Sequence, residues 1–214
     1  MSCSWCNPNL ARGDFLLQGG SDLSGIGLQA NFMQGYDFVV SKQDIRLTSF
    51  GFWDQGSDGV PDSYQVGLWD TNTQELLVSV LIDNSDSLDQ SLTIAGGQYR
   101  VETIGSLGNG SLVLHAGHTY TIAYQVGPAE LSRIDTLAIE QGTIISSPLV
   151  EIVEQARFLS TPSFTFPTQT FDLSGGLRGN VNAQFSLIPE PSFAMLLSLG
   201  FFWLTALPNR SRVP

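Results

Sequence analysis

The chain has 214 residues, nine Lys and Arg against 20 Asp and Glu, and a formal net charge of −11. With no Lys/Arg cluster, that balance excludes nonspecific nucleic-acid binding, which needs a basic stripe against phosphate. Charged residues are only 14% of the chain, below the usual quarter or so, while 42% are hydrophobic and 22 are glycine. Such a chain can bury one real core and turns often.

Both cysteines, Cys3 and Cys6, lie near the N-terminus. A structural zinc site needs four ligands and no second pair exists, so an incidental pair, a local disulfide or a redox role stay open. Residues 1–30 contain no apolar run of the length a secretory h-region needs; Phe15-Leu16-Leu17 is the best available. Two openings follow: a start other than Met1, or an export signal encoded upstream.

The middle of the chain reads as strands. In Ile45–Trp53 the apolar phase slips at Thr48-Ser49, and a β-bulge there lets Ile45 and Leu47 share a core with Phe50 and Phe52. Tyr64, Val66 and Leu68 share a face, with Trp69 pointing oppositely. Leu76, Val78, Val80 and Ile82 form another face, and Tyr99, Val101 and Thr103 continue the pattern. Thr119–Val126 alternates cleanly, with Tyr120, Ile122, Tyr124 and Val126 together. Turn chemistry separates these runs at Ser57-Asp58-Gly59, Asp70–Thr73, Ala95-Gly96-Gly97, Gly108-Asn109-Gly110 and Ala116-Gly117. Within Ser147–Phe158, Val150, Val153, Glu154 and Arg157 carry helical spacing and mark one short helix as an alternative. The spacing of strands and turns predicts an all-β chain, an antiparallel, jelly-roll-like β-sandwich.

Candidate chemistry is sparse. His115 and His118 are three apart, but Ala116-Gly117 makes the segment a turn and no third ligand is near in sequence. No Gly-x-Ser-x-Gly elbow, Walker A loop or dinucleotide-binding loop occurs, which argues against an enzyme. Asp54, Asp58 and Asp62 around a glycine-bearing loop are a candidate calcium set, although Gly56 and Gln65 stand where an EF-hand needs ligands. Asp83-Asn84-Ser85-Asp86 is a second acidic turn of the same kind. Trp53, Tyr64 and Trp69, with Tyr124, would stack on sugar rings if exposed. Each sits in a core-like alternation, so burial is the better expectation.

The C-terminal stretch has a distinct layout. From Pro191 to Asn209 there is no charge, and Arg210 and Arg212 follow. Nineteen residues of helix span about 28 Å, matching a hydrocarbon core of roughly 30 Å. The run is apolar on every side, which fits a single transmembrane helix better than a buried amphipathic one. The trailing arginines place its C-terminus in the cytoplasm and the rest of the chain outside.

Just before the run stand Pro189, Glu190 and Pro191. Pro-Glu-Pro, an apolar membrane-length run and a short arginine tail resemble the PEP-CTERM sorting signal of Gram-negative bacteria. The resemblance implies recognition by an exosortase-type membrane enzyme, removal of the tail, and delivery to the cell surface or exopolysaccharide matrix. Gly51-Phe52-Trp53-Asp54, Tyr64–Asp70, Leu114–Ile122 and the closing Gly179–Phe185 resemble the DUF4082-type sandwich of bacterial surface and carbohydrate-active proteins. That resemblance implies a fold and establishes no activity.

The expected organisation is an N-terminal segment over 1–26, a sandwich over 27–187 and a sorting signal over 188–214. The expected role is a non-enzymatic exported surface or matrix protein associated with exopolysaccharide, with no cofactor. The alternative is a carbohydrate-binding module, calcium-assisted.

Overall fold

Alternating apolar residues and frequent turns give two six-stranded antiparallel sheets. The computed structural model describes residues 14–20, 25–28, 31–105, 111–126, 133–140, 142–172 and 176–188. Cys3, Cys6, Gly108–Gly110, Pro189–Pro191, the apolar run, Arg210 and Arg212 lie outside them. Among the described residues, no helix is long and apolar enough to cross a membrane.

The first sheet runs β1 (Asp14–Phe15), β18 (Val181–Leu187), β5 (Ile45–Asp54), β9 (Gly97–Thr103), β8 (Ser87–Ile94), with β10 (Leu112–Leu114) also on β5. The second runs β16 (Gln169–Asp172), β15 (Val150–Ser160), β4 (Phe32–Val40), β11 (Thr119–Val126), β6 (Tyr64–Asp70), β7 (Leu76–Ile82). Three short ribbons add β2 (Leu17–Gly19) with β14 (Ile145–Ser146), β3 (Gly25–Leu28) with β12 (Arg133–Thr136), and β13 (Ala138–Ile139) with β17 (Leu177–Arg178).

The expected bulge is present. Ser49 pairs with Gln184 and Leu47 with Phe185, so Thr48 is the extra residue. Skipping it keeps Ile45, Leu47, Phe50 and Phe52 all in the main core. Aromatic rings knit the sheets together: Phe52 stacks on Tyr64 with centroids 3.9 Å apart and meets Tyr124 edge-on at 5.2 Å. Tyr36 of β4 donates its hydroxyl to the Val181 carbonyl at 3.1 Å, linking the two sheets.

Two expectations are corrected. Ser147–Phe158 holds no helix; Val150–Ser160 is the 11-residue strand β15. Val150, Ile152, Ala156 and Phe158 line up with Val40, Phe38, Tyr36 and Gln34 of β4, and a two-residue bulge separates Val153 from Ala156. Two extra residues preserve strand parity, and Glu154 falls on a position of the apolar series and masks it. The folded body also begins before residue 27. β1 pairs with β18, and Leu16 and Leu17 are completely buried.

β18 explains how this N-terminal stretch is held. Val181 and Ala183 pair with Phe52 and Phe50 and face the second sheet, so Asn180, Asn182 and Gln184 project from the opposite face. Asn182 accepts the Leu17 N–H at Oδ1 (3.0 Å) and donates Nδ2 to the Leu17 carbonyl (2.9 Å). Asn180 does the same for another segment, accepting the Leu137 N–H at 3.2 Å and donating to the Asp135 carbonyl. Each amide imitates a neighbouring strand and ties a covering segment to the sheet.

Candidate functional site

The expected sugar-contact residues lie inside the protein. Trp53, Tyr64 and Tyr124 belong to the main core, and none is more than 1% exposed. Trp53 donates its indole N–H to the Ile94 carbonyl at 3.1 Å. Tyr124 donates its hydroxyl to Gln34 Oε1 at 2.9 Å. Trp69 projects from the outer face of the second sheet, yet it too is buried. It lies beside Gly67, Ala123 and Gly35, which share one register row. A Cβ on Gly67 would come within 2.8 Å of the Trp69 ring and 2.7 Å of Phe164, so only this residue leaves the ring its place. Phe164 and Phe166, from the segment after β15, close over it. A ring buried on both faces presents nothing to a saccharide, so Trp53, Tyr64 and Trp69 are packing residues, as their core-like alternation predicts, and not sugar contacts.

The three aspartates do not form a shared site. Asp54 is fully buried, with Arg100 Nε at 2.8 Å and the Gly59 N–H at 3.2 Å from both its oxygens. A guanidinium already occupies the place a cation would take. Asp58 is exposed, and Asp62 accepts the N–H of Ser63 at 2.8 Å. The 83–86 turn uses its carboxylates on its own chain: Asp83 accepts from Ser85, and Asp86 accepts the Asp83 N–H. Arg100 Nη1 also donates to the carbonyls of Asn84 and Asp86, so one arginine joins both loops. Burial, followed by hydrogen bonding to Asp86, raises the pKa of Glu102 beside them. Among the described residues, no three His, Cys, Asp or Glu side chains gather as a metal site.

His115 and His118 flank a tight turn at Gly117, whose φ is +79°. Their rings lie 5.9 Å apart. His115 Nδ1 lies 2.9 Å from Asp44 Oδ2, and the Ala116 N–H donates to Asp44 Oδ1 at 2.9 Å. These two bonds, the backbone one first, lower the Asp44 pKa. Asp44 therefore staples the turn to the 41–44 loop.

A charged network that sequence reasoning missed lies on the outer face of the second sheet. Arg157 Nε sits 2.9 Å from both oxygens of buried Asp37. Thr121 donates to Asp37 at 2.6 Å, and the Phe166 ring lies 5.4 Å from the guanidinium carbon. Glycine, threonine and aspartate at alternate outward positions were its signal in sequence.

One open pocket, of about 260 Å³, lies at the β4–β15–β16 end. Gln34 pairs with Phe158 and Ala156 with Phe171, so all four share a sheet face. Arg178 and Gly176 line the other side. Phe158 and Phe171 meet edge to face at 5.9 Å, and Phe171 is 52% exposed. Arg178 is half-buried and lies close enough to Tyr124 to oppose the rise that burial gives its phenol pKa. None of the described residues hydrogen-bonds the Arg178 guanidinium. Comparison of the chain with protein-family models, curated proteins and solved structures returned no match.

Proposed function

We propose that this chain is a non-enzymatic surface or matrix protein of a Gram-negative bacterium, exported and sorted through a PEP-CTERM-type signal. The observation that carries this reading is the order Pro189-Glu190-Pro191, a charge-free stretch to Asn209, then Arg210 and Arg212. The two prolines keep the motif extended, where a membrane enzyme can grip it. The apolar run is a transmembrane helix that holds the motif at fixed depth, and the arginines keep the C-terminus cytoplasmic until processing. The partner is an exosortase-type enzyme, and the destination is the cell surface or its exopolysaccharide.

The sandwich is the cargo in this reading, and it is jelly-roll-like. The connections from β5 to β6, β7 to β8 and β10 to β11 each cross between sheets, which supports that topology. β18 ends at Leu187, two residues before the motif, which leaves a short spacer between cargo and signal.

Fractionation of cells with and without the exosortase-type enzyme tests the proposal. The expected result is surface protein in the parent and a longer, membrane-retained precursor in the deletion strain. Cytoplasmic residence in both strains would overturn it.

A further inference from the structure

We propose that the pocket between β15, β16 and β17 binds a hexuronate unit of an acidic polysaccharide, with its carboxylate on Arg178 and its ring against Phe171. The proposal deepens the matrix reading and rests on it for the source of the ligand.

The pocket's polar side chains are matched to an acceptor. Gln34 Oε1 is taken by the Tyr124 hydroxyl, which leaves the Gln34 amide N–H groups as donors. The Arg178 guanidinium offers only donors. In a chain of net charge −11, Arg100 and Arg157 are committed to Asp54 and Asp37. Arg178 lines the pocket with no such partner among the described residues. A guanidinium fork takes a carboxylate in two parallel hydrogen bonds and is the natural selector of such a group.

The remaining walls set the rest of the ligand. Ala156, Phe158 and half-exposed Phe171 are apolar, so the anion must carry an uncharged face to lie on them. A pyranose ring bearing a carboxylate supplies a C–H face for Phe171 and hydroxyls for the Gln34 amide. Ligand pockets usually run from about 300 to 1,000 Å³. At about 260 Å³ this one suits a single ring, with the chain of sugars continuing through the open mouth.

The full-length protein is titrated at fixed ionic strength with sodium glucuronate, glucose and benzoate, followed by chemical-shift changes. Glucuronate is expected to bind about tenfold or more tightly than glucose. Arg178→Gln is expected to lose that preference, Arg178→Lys to keep part of it, and Phe171→Ala to weaken binding with an unchanged melting midpoint. Equal binding of glucose and glucuronate overturns the proposal, as does full affinity in Arg178→Gln. Tighter binding of benzoate than of glucuronate also overturns it, assigning the pocket to aromatic acids. If Arg178→Gln fails to fold, exposed Phe171→Ala decides alone, and undiminished binding there overturns the stacking. Surface protein that ignores glucuronate overturns this site and leaves the sorting reading standing. Cytoplasmic protein that binds it does the reverse.

Discussion

Asn182→Ala is the sharpest test of how the fold is held shut. Asn182 is completely buried, and its amide satisfies both backbone groups of Leu17. Alanine leaves that N–H and carbonyl without partners in the interior. A buried backbone group left unpaired costs about 1–3 kcal/mol, so two give about 2–6 kcal/mol. Water entering the vacated space restores part, which puts the expected loss at about 3 kcal/mol. For a domain of this size each kcal/mol moves the midpoint by about 2–4 °C, so melting should fall by about 6–12 °C. Thermal and urea unfolding measure the loss, and amide hydrogen exchange locates it. The Leu16 and Leu17 amides should lose protection first, since Leu16 N–H bonds the neighbouring Ala183 carbonyl. Asn182→Asp should be no better, because a carboxylate then faces the Leu17 carbonyl. A loss under about 0.5 kcal/mol, the range of ordinary surface substitutions, with Leu17 still protected, would refute the bracket.

Three further outcomes follow from the buried tyrosine hydroxyls, the Asp37–Arg157 pair and half-exposed Asp44. Tyr64→Phe should be neutral or stabilising, because the buried Tyr64 hydroxyl has no hydrogen-bond partner among the described residues, whereas Tyr99→Phe should cost about 1 kcal/mol by breaking its 2.8 Å bond to the Gly179 carbonyl; paired urea titrations compare them. Asp37→Ala should cost about 3–5 kcal/mol by stranding Arg157, while replacing both Asp37 and Arg157 with apolar residues should recover most of that, as a double-mutant cycle will show. Asp44, whose pKa is lowered in the folded state, favours folding above the ordinary carboxylate pKa, and that support disappears as pH falls through the folded value; Asp44→Asn should flatten the acid limb of stability against pH, and carboxyl NMR titration should place the wild-type midpoint below the usual range.

Much of the fold was legible because local pattern and tertiary burial agree. Thr119–Val126 is a strand with the boundaries that its alternation and turns mark. Leu76–Ile82 is a strand too, but a bulge at Leu77 sets Leu76 opposite Trp69, exposed and off the face of Val78, Val80 and Ile82 that the alternation predicts for it. The bulge at Thr48 could be read because a phase slip inside an apolar run has few other remedies. β15 was obscured because Glu154 occupies one position of its apolar series. The site residues were harder for a different reason. Tryptophan has the same alternation signal whether the far side of its sheet meets solvent or another stretch of the same chain. Only the placement of Phe164 and Phe166 decides the matter for Trp69. Aspartates spaced around a glycine read alike whether they hold a cation or cap backbone N–H groups, and Arg100, distant in sequence, decides that for Asp54. Asn180 and Asn182 alternate with Val181 and Ala183 and carry no local mark of what they hold. Their role depends on segments more than 40 positions away.

The coverings explain where a ligand can reach this sandwich. Asn180 and Asn182 fasten chain segments to the outer face of the first sheet, and Phe164 and Phe166 cover Trp69 on the second. Polar and aromatic groups on these faces are therefore engaged by the chain itself: Asp37 by Arg157 and Thr121, Trp69 by Phe164. Aromatic surface at those positions serves packing and offers no open platform to a sugar. The β16 end stays open: Phe171 keeps half its surface in solvent, and Arg178 has no carboxylate partner among the described residues, unlike Arg100 and Arg157. Arg100 and Arg157 are matched by carboxylates because an unmatched buried charge is costly, whereas half-buried Arg46 has the Ser111 hydroxyl at 3.4 Å. Half-buried Arg178 lines the same pocket as Phe171, the one largely exposed phenylalanine of the described residues, and the proposed hexuronate would sit between them at this end of the second sheet.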